Sequence, residues 1–401
     1  AYLAKRAADY GVETGPISID MTVVRKRKRD IVDSFRSGSE SRIKQTEGVD
    51  LLMGEASFIG PKTIEVHMNT GETRQLTANL IFINTGERPA IPHVEGIEQV
   101  PTINSTTIME LDTVPEHLLI LGGGYIGLEF GQMFRRFGSQ VTIVQRGKQL
   151  LAREDSDIAE AVADILREDG ITILLETAAQ SVKQENGHIQ LTVRTPQGEQ
   201  VLSGSHLLTA AGRTPNTDRL NLQATGVQTD KRGYIQVNDK LETNVPGIYG
   251  LGDVKGPPAF THISYDDYRI LRTNIIEHGN ASIAHRLVPY TVFIDPQLGR
   301  VGLSETEARQ QGRNIKVAKM PMDYVARALE VDESRGVMKA IVDADSKQIL
   351  GCAILGIEGG EIMSMLEIAM MGHVPYPVLQ EGIFAHPTLA ESLNNLFGML
   401  E

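Results

Sequence analysis

The feature that most constrains this chain is the segment at 118–130, where an apolar run leads into closely spaced glycines. Gly122, Gly124 and Gly127 follow the run in the G-x-G-x-x-G spacing. In a strand–turn–helix unit, the first glycine permits a tight turn, the second lets a pyrophosphate approach the backbone, and the third lets the helix pack against the strand. A second apolar run, at 140–144, reads as the next strand. The pattern predicts a dinucleotide-binding unit rather than a glycine-rich structural turn.

Length and charge narrow the class of protein. The chain has 401 residues, of which 41% are hydrophobic, which is enough for two or three domains. Its net charge of −12 argues against nucleic acid or an anionic membrane as the main partner. The basic run at 25–29 is followed by Asp30 and fits a solvated helix face better than a nucleic-acid patch.

The cysteine content points the same way. The single cysteine, Cys352, excludes an internal disulfide and a cysteine-rich metal site, so no metal site is predicted and a cytoplasmic location is expected. Cys352 lies in an apolar, strand-like run, which predicts a buried small hydrophobic residue rather than a nucleophile.

Two stretches, at 49–86 and 171–212, repeat the same pattern. Each alternates like a meander of strands and ends in an apolar run and a glycine, followed by arginine and proline. Such duplication predicts two related nucleotide-binding units. The offset from Gly122 to the second stretch, counted back from Val49, falls at or before the first residue. We therefore expect the glycine loop of the first unit to lie upstream of Ala1, in a longer enzyme.

A third pattern, at 241–253, is a turn and a short apolar strand that ends in Gly252 and Asp253. A carboxylate at the end of a strand can accept hydrogen bonds from the hydroxyls of a ribityl or ribose chain. Taken alone, Gly252-Asp253 fits an ordinary turn equally well.

These pieces, in this order, resemble the flavin-dependent pyridine nucleotide-disulfide oxidoreductases, which include glutathione reductase, dihydrolipoamide dehydrogenase and mercuric reductase. The resemblance covers essentially the whole chain. Its motifs are Thr85-Gly86, Gly-Gly-Gly-Tyr-Ile-Gly-Leu-Glu at 122–129, Ala-Gly-Arg-Thr-Pro-Asn at 211–216, the segment 243–253, and His-Pro-Thr-Leu-Ala-Glu at 386–391. Segments 260–269 and 288–293 look most like the mercuric-reductase-like branch, which includes the reactive-chlorine-resistance flavoproteins.

The resemblance implies an α/β fold with two Rossmann-like nucleotide-binding domains, the first incomplete, and a C-terminal α+β dimerisation domain. The implied boundaries are 1–108 for the first part of an FAD-binding domain, 109–232 for the NAD(P)-binding domain, 233–285 for the second part of the FAD-binding domain, and 286–401 for dimerisation.

By the same resemblance, Asp253 would hold the ribityl chain of FAD, and Thr261 would present backbone N–H groups to the flavin ring at a helix start. The remaining residues implied at FAD are Gly54 and Ala56 near the adenine, Thr85 and Gly86 in the groove, and Gly252.

The resemblance also assigns residues to the nicotinamide nucleotide. Tyr125 would cover the flavin until nicotinamide displaces it, although a packed aromatic at a helix start is the alternative. Glu129 would contact the nicotinamide region, and Gly212 would also lie at this nucleotide.

The residues after the second strand bear on the choice of nucleotide. NAD enzymes usually carry an acid there to bind the ribose 2′-hydroxyl, but this chain has Gln145, followed by Arg146 and Lys148. Cations at this place can pair with a 2′-phosphate, which favours NADPH over NADH. Exposed turn residues without a ligand are the alternative.

His386 and Glu391 match the acid–base pair of the family's H-P-T-x-x-E pattern. Pro387 predicts that the histidine precedes a helix and that the glutamate lies within its second turn. A histidine oriented by a carboxylate suits proton transfer to a thiolate leaving group. In the family this segment serves the flavin of the partner subunit, which implies a homodimer.

The implied function, in the complete enzyme, is that of an FAD-dependent NAD(P)H oxidoreductase, which passes hydride from NAD(P)H to the flavin and electrons on to a disulfide, metal or other oxidant acceptor. The family's C-x-x-x-x-C redox pair would lie upstream of Ala1, so we expect no dithiol chemistry from this chain alone and doubtful occupancy by FAD. The C-terminal sequence lacks the cysteine pair of mercuric reductases, so the usual route of mercury reduction is not expected. The alternative is a truncated or redox-inactive nucleotide-binding protein.

Overall fold

The computed structural model describes residues 1–400, which form two compact units. Unit 1 contains Ala1–Thr22, Ile91–Ala211 and the chain from Leu287 onwards, and unit 2 contains Val23–Ala90 and Gly212–Arg286. The predicted α/β fold is confirmed, since a parallel Rossmann-like sheet is followed by a C-terminal α+β domain. The four domain boundaries remain a prediction.

Strands and helices contribute similar shares of the regular structure. In chain order they are β1 (Gly54–Gly60), β2 (Thr63–Met68), β3 (Thr73–Thr77), β4 (Ile81–Ile83), β5 (Glu87–Pro89), β6 (Thr102–Ile103), β7 (His117–Leu121), β8 (Gln140–Val144), β9 (Thr172–Leu174), β10 (Ala178–Glu185), β11 (His188–Thr195), β12 (Gly198–Gly204), β13 (His206–Thr209), β14 (Arg213–Pro215), β15 (Ile248–Gly250), β16 (Tyr290–Val292), β17 (Gln297–Gly302), β18 (Ile315–Pro321), β19 (Val337–Asp343) and β20 (Ile349–Gly356).

The α-helices are α1 (Tyr2–Lys5), α2 (Met21–Gln45), α3 (Tyr125–Phe137), α4 (Ser156–Glu168), α5 (Thr261–Leu271), α6 (Glu305–Gln310), α7 (Ala326–Glu330), α8 (Gly359–Met371), α9 (Tyr376–Gln380) and α10 (Ser392–Phe397). The basic run at 25–29 lies on α2 and is largely exposed, as predicted. Within residues 1–400, every helix is too short or too polar to cross a membrane.

The centre of unit 1 is a five-stranded parallel sheet in the order β6-β13-β7-β8-β9. Strands β7 and β8 read as near-continuous apolar runs because helices cover parallel sheets on their faces. Helix α3 packs against them through Leu128, Gly131 and Phe134, which recur at helical spacing and are buried. This packing fixes the β7–α3 turn, which carries the glycine motif.

The C-terminal part of unit 1 is an antiparallel sheet in the order β16-β17-β20-β19-β18, with α8 packed on β17 and β20. Cys352 on β20 is fully buried, as its apolar flanks predict, and burial raises the pKa of its thiol to about 12. The thiolate that nucleophilic chemistry requires is therefore disfavoured.

Both predicted repeats form three-stranded antiparallel meanders, β1-β2-β3 in unit 2 and β10-β11-β12 in unit 1. Unit 2 also contains a parallel pair, β4 with β15, and an antiparallel pair, β5 with β14. Strands β5 and β14 hold the arginine and proline residues that end the two repeats, so the two repeat ends pair with each other.

A buried cation joins the nucleotide-binding sheet region to the C-terminal sheet within unit 1. The side chain of Lys339 on β19 is only 2% exposed, and its Nζ lies 3.1 Å from both Asp155 and Asp157 and 2.8 Å from Glu305. Burial alone raises the pKa of Asp155, but hydrogen bonds from Thr306 and Lys339 lower it to about 2. We call Lys339 and these three carboxylates the Lys339 cluster.

We expect a Lys339→Ala substitution to lower the free energy of unfolding by about 3 kcal/mol, because it leaves the buried carboxylate of Asp155 without its cation and removes the cation that Asp157 and Glu305 share with it. Urea denaturation measures this loss. The matched control is Lys319→Ala, since Lys319 contacts Asp157 at 2.8 Å but is 48% exposed; its loss should stay below ~1 kcal/mol. Equal losses in the two variants would show that the Lys339 cluster does not carry the stability.

Candidate functional site

The glycine motif forms the turn between β7 and α3, as the sequence predicts. Gly122 has a φ of +114°, and its N–H donates to the carbonyl of Val144 on β8 at 3.0 Å. A β-carbon at Gly127 would overlap the carbonyl oxygen of Gly122, so only glycine permits this approach of helix and strand. A β-carbon at Gly124 would meet nothing within 4 Å. A side chain therefore does not fit at Gly122 or Gly127, whereas there is free space beside Gly124.

The open side of this turn fits a pyrophosphate. Gly124 is the residue before α3, whose first backbone N–H groups have no partner within the helix. Those groups and the helix dipole favour an anion at this place. The strand–turn–helix geometry, together with the open space at Gly124, is that of a dinucleotide-binding turn.

Gln145, at the end of β8, supports the turn with its side-chain amide. Its Oε1 accepts the N–H of Gly123 at 3.1 Å, and its Nε2 donates to the carbonyl of Gln149 at 3.0 Å. Arg146 and Lys148, in contrast, are exposed. The sequence pattern predicts all three near the nucleotide ribose, but it does not show which way the amide of Gln145 turns, so this contact was not predictable.

Tyr125 and Glu129 lie on α3, directly after the turn. Tyr125 is partly buried and packs against the core of unit 1. The Oε1 of Glu129 accepts the N–H of Phe293 at 2.8 Å, and burial raises the pKa of this carboxyl group. Glu129 also lines a cavity of about 250 Å³, together with Gln132 and Phe293. The protonated form of Glu129 is thus favoured more than in an exposed glutamate.

The residues predicted at FAD lie in unit 2. Thr85-Gly86 follow β4 and Gly252-Asp253 follow β15, and because β4 and β15 are parallel neighbours, both pairs lie at the same edge. Thr85 is held by Asn216, whose backbone carbonyl accepts the Thr85 hydroxyl at 2.9 Å. Thr261 is the first residue of α5. The polar ends of two strands and a helix start therefore occur together in this unit.

A small apolar cavity of about 120 Å³ lies beside this edge. Ala56, Phe58, Ile83 and Thr85 are among its lining residues. Gly54 is required for a different reason, since a β-carbon there would overlap the backbone of His67 on the paired strand β2. Its predicted contact with adenine remains a prediction.

Gly212 belongs to unit 2, whereas the glycine turn belongs to unit 1. Gly212 has a φ of +139°, and its carbonyl accepts the N–H of Ala90 at 3.0 Å. Its observed place is thus next to the paired strands β5 and β14. Its predicted contact with the nicotinamide nucleotide stays a prediction.

His386 and Glu391 form the predicted pair in unit 1. The Nδ1 of His386 lies 2.9 and 3.0 Å from the two carboxylate oxygens of Glu391. The helix boundary was predicted wrongly, because Glu391 precedes α10 instead of lying in its second turn. The hydroxyl of Thr388 accepts the Glu391 N–H at 3.3 Å, just before the helix starts.

The pair has the geometry of a proton-transfer group. An Nδ1–H that donates to Glu391 leaves Nε2 as the nitrogen that can take or give a proton. The His386 side chain is 66% exposed, so a reacting group can reach it. Within residues 1–400, no three or more His, Cys, Asp or Glu side chains are grouped to hold a metal ion.

Two family models cover most of the chain. The model described as "Pyridine nucleotide-disulphide oxidoreductase" matches residues 4–276, and the model described as its dimerisation domain matches residues 288–397.

Individual relatives agree with these matches. The chain is 37% identical over 378 residues to the probable pyridine nucleotide-disulfide oxidoreductase RclA of Escherichia coli, covering 94% of this chain and 85% of that protein. It is 32% identical over 391 residues to a mercuric reductase of Staphylococcus aureus, covering 98% of this chain and 71% of that protein.

Among solved structures, the HOCl-induced flavoprotein disulfide reductase RclA from Escherichia coli is similar with a TM-score of 0.87 and 36% identity, covering 94% of this chain and 85% of that one. The predicted oxidoreductase function is confirmed at the level of a flavin-dependent pyridine nucleotide-disulfide oxidoreductase, and the comparisons give no support to a redox-inactive nucleotide-binding protein.

We expect Gly124→Ala and Gly127→Ala to separate binding from stability. Gly127→Ala overpacks the turn and should lower the free energy of unfolding by about 1–3 kcal/mol. Gly124→Ala should unfold like the parent protein but bind NADPH at least about tenfold more weakly, because its methyl group enters the space predicted for the pyrophosphate. Urea denaturation and calorimetric titration with NADPH measure the two effects.

The control is Gly15→Ala, since a β-carbon at Gly15 also meets nothing within 4 Å and the residue lies in unit 1, outside the turn. Unchanged NADPH affinity in Gly124→Ala would contradict the assignment of the turn.

Proposed function

The chain belongs to the pyridine nucleotide-disulphide oxidoreductase family, and on that premise we propose that it is an NADPH-dependent FAD enzyme that reduces a disulfide, metal or other oxidant acceptor. The observation that carries the proposal is the glycine turn of unit 1, which has free space at Gly124. At the end of β8, where an NAD enzyme has an acid, the chain has Gln145, followed by the cations Arg146 and Lys148. The predicted cytoplasmic location remains a prediction.

The choice of NADPH rests on the three residues after β8. The amide of Gln145 is engaged on both sides, by Gly123 and by the carbonyl of Gln149. The amide of Gln145 thus stabilises the turn and does not serve as a hydrogen-bond partner of the ribose. The exposed cations Arg146 and Lys148 remain as the groups that can pair with a 2′-phosphate.

The residues of unit 2 that fit FAD are those at the shared edge of β4 and β15. Asp253 would accept hydrogen bonds from the ribityl hydroxyls, and the N-terminus of α5 at Thr261 would favour negative charge on the flavin ring. When bound, FAD supplies the hydride acceptor of the family. Thr85 and Gly86 fit the groove, since a β-carbon at Gly86 would meet nothing within 4 Å.

The His386–Glu391 pair supplies the proton-transfer function of the proposal. Glu391 orients the imidazole through Nδ1, so that Nε2 can deliver a proton to a leaving group. We assign this role across a homodimer, in keeping with the match of residues 288–397 to a dimerisation domain. Exposed apolar side chains of this domain, such as Ile368, Met371 and Val378, suit a contact with a second copy.

We expect Arg146→Ala/Lys148→Ala to weaken NADPH binding about tenfold and to leave NADH binding unchanged, because only NADPH carries the 2′-phosphate. Dissociation constants for both nucleotides measure this. Lys183→Ala is the control, since Lys183 is exposed on β10 of the same unit. A Gln145→Glu variant should not gain affinity for NADH; a gain would mean that residue 145 faces the ribose, contrary to the assignment.

The function as a whole is tested by the visible spectrum. We expect the protein, supplied with FAD, to show a bound flavin band that NADPH bleaches anaerobically and that NADH bleaches only at higher concentration. The Gly124→Ala variant should keep the band but need more NADPH to bleach it. A bound flavin that neither nucleotide reduces would contradict the proposed function.

A further inference from the structure

Unit 2 contains a buried carboxylate that is not among the residues proposed to contact either nucleotide. Asp267 lies on α5, on the same buried face as Ile263, Ile270 and Leu271, and is 0% exposed. An ionised carboxylate on an apolar helix face is costly unless it is paired and hydrogen-bonded. The groups that pair with Asp267 are therefore expected to indicate its role.

Two cations and one backbone amide meet Asp267. Its Oδ1 lies 2.7 Å from the guanidinium of Arg286, and its Oδ2 lies 3.1 Å from the Nζ of Lys255. The same Oδ2 accepts the N–H of Gly252 at 2.8 Å. We call Asp267, Lys255 and Arg286 the Asp267 cluster.

The contacts of Oδ2 tie both ends of one short turn. A single 3₁₀ turn runs from Gly252 to Lys255. One oxygen of Asp267 binds the backbone of its first residue and the side chain of its last. Asp253 lies between these two points, so the turn fixes the position of its backbone.

The Gly252–Lys255 turn is also tightly packed on the side of Asn84 and Ser264. Gly252 has a φ of +69°, and a β-carbon there would lie 2.5 Å from the Oδ1 of Asn84 and 2.7 Å from the Oγ of Ser264. Burial lowers the pKa of Lys255, while the charges of Asp267 and Asp253 oppose that shift. Asp253 is thus electrostatically linked to the same cluster.

We propose that Asp267 is a positioning residue for FAD, which acts through the Gly252–Lys255 turn to aim the carboxylate of Asp253 at the ribityl hydroxyls. The inference rests on the proposed FAD site. It assigns to Lys255 and Arg286 the part of pairing with the buried carboxylate of Asp267, which holds it in place as the acceptor for the Gly252 N–H. Without this acceptor the Gly252 N–H would be buried and unpaired, which would destabilise the observed geometry of the turn.

The test is a titration of FAD-free Asp267→Ala and Asp267→Asn with FAD, in which quenching of the flavin fluorescence measures binding. We expect Asp267→Ala to raise the dissociation constant of FAD about tenfold or more. Asp267→Asn keeps an oxygen for the Gly252 N–H but loses the charge that holds Lys255 and Arg286, and it should fall between the parent protein and Asp267→Ala. This variant keeps the test decisive where alanine prevents folding.

The matched control is Asp266→Asn, which removes a carboxylate from the adjacent position of α5. Asp266 contacts Arg286 at 3.3 Å and Arg269 at 3.6 Å, and its side chain is 31% exposed. Its FAD affinity should stay within about twofold of the parent protein. NADPH affinity, which reports on unit 1, should be unchanged in every variant.

The visible absorption band of bound flavin separates positioning from general stability. In Asp267→Ala we expect a band closer to that of free FAD, which a merely less stable protein that bound FAD normally would not show. Parent-like affinity and band shape in both Asp267 variants would overturn the inference alone, as would equal weakening in Asp266→Asn. Failure of the parent protein to bind FAD would overturn the proposed function together with the inference.

Discussion

The close approach of Gly127 to the carbonyl of Gly122 is the constraint on which the nucleotide-binding part of unit 1 depends. Because no β-carbon fits between them, α3 can begin directly against the end of β7. The hydrogen bond from Gly122 to Val144 then ties the same turn to β8. The close approach and the hydrogen bond together hold β7, β8 and α3 at this turn. The space beside Gly124, at the helix N-terminus, is left free for an anion.

This turn is continuous with the C-terminal sheet through a series of hydrogen bonds within unit 1. Gln145 joins Gly123 to Gln149, and the Nε2 of Gln149 donates to the carbonyl of Glu154 at 2.9 Å. The side chain of Glu154 contacts Tyr290 and lies 3.2 Å from the guanidinium of Arg300 on β17. Buried charges of this kind are tolerated only when paired, so the sheet and the nucleotide turn constrain each other's position.

Much of the fold followed from local sequence. The glycine spacing, the two meanders and the buried run around Cys352 were predictable because each depends on residues close together in the chain. Lys339 was not predictable, because its partner Asp155 is distant in sequence and only the fold brings the two near. Asp267 was not predictable either, because its partners lie outside its own helix. The start of α10 was predicted wrongly because the position of a proline gives a helix boundary only approximately.

A common device appears at both proposed nucleotide sites, with one difference. In each, a side-chain oxygen accepts a glycine N–H beside the ligand turn: the Oε1 of Gln145 accepts the N–H of Gly123, and the Oδ2 of Asp267 accepts the N–H of Gly252. A pyrophosphate is anionic, so a carboxylate beside Gly123 would repel it, whereas a neutral amide supports the turn without that cost. Ribityl hydroxyls are neutral, so a carboxylate beside Gly252 meets no such repulsion, and its charge is balanced by Lys255 and Arg286. The charge of each support is thus matched to the charge of the group that the turn is proposed to bind.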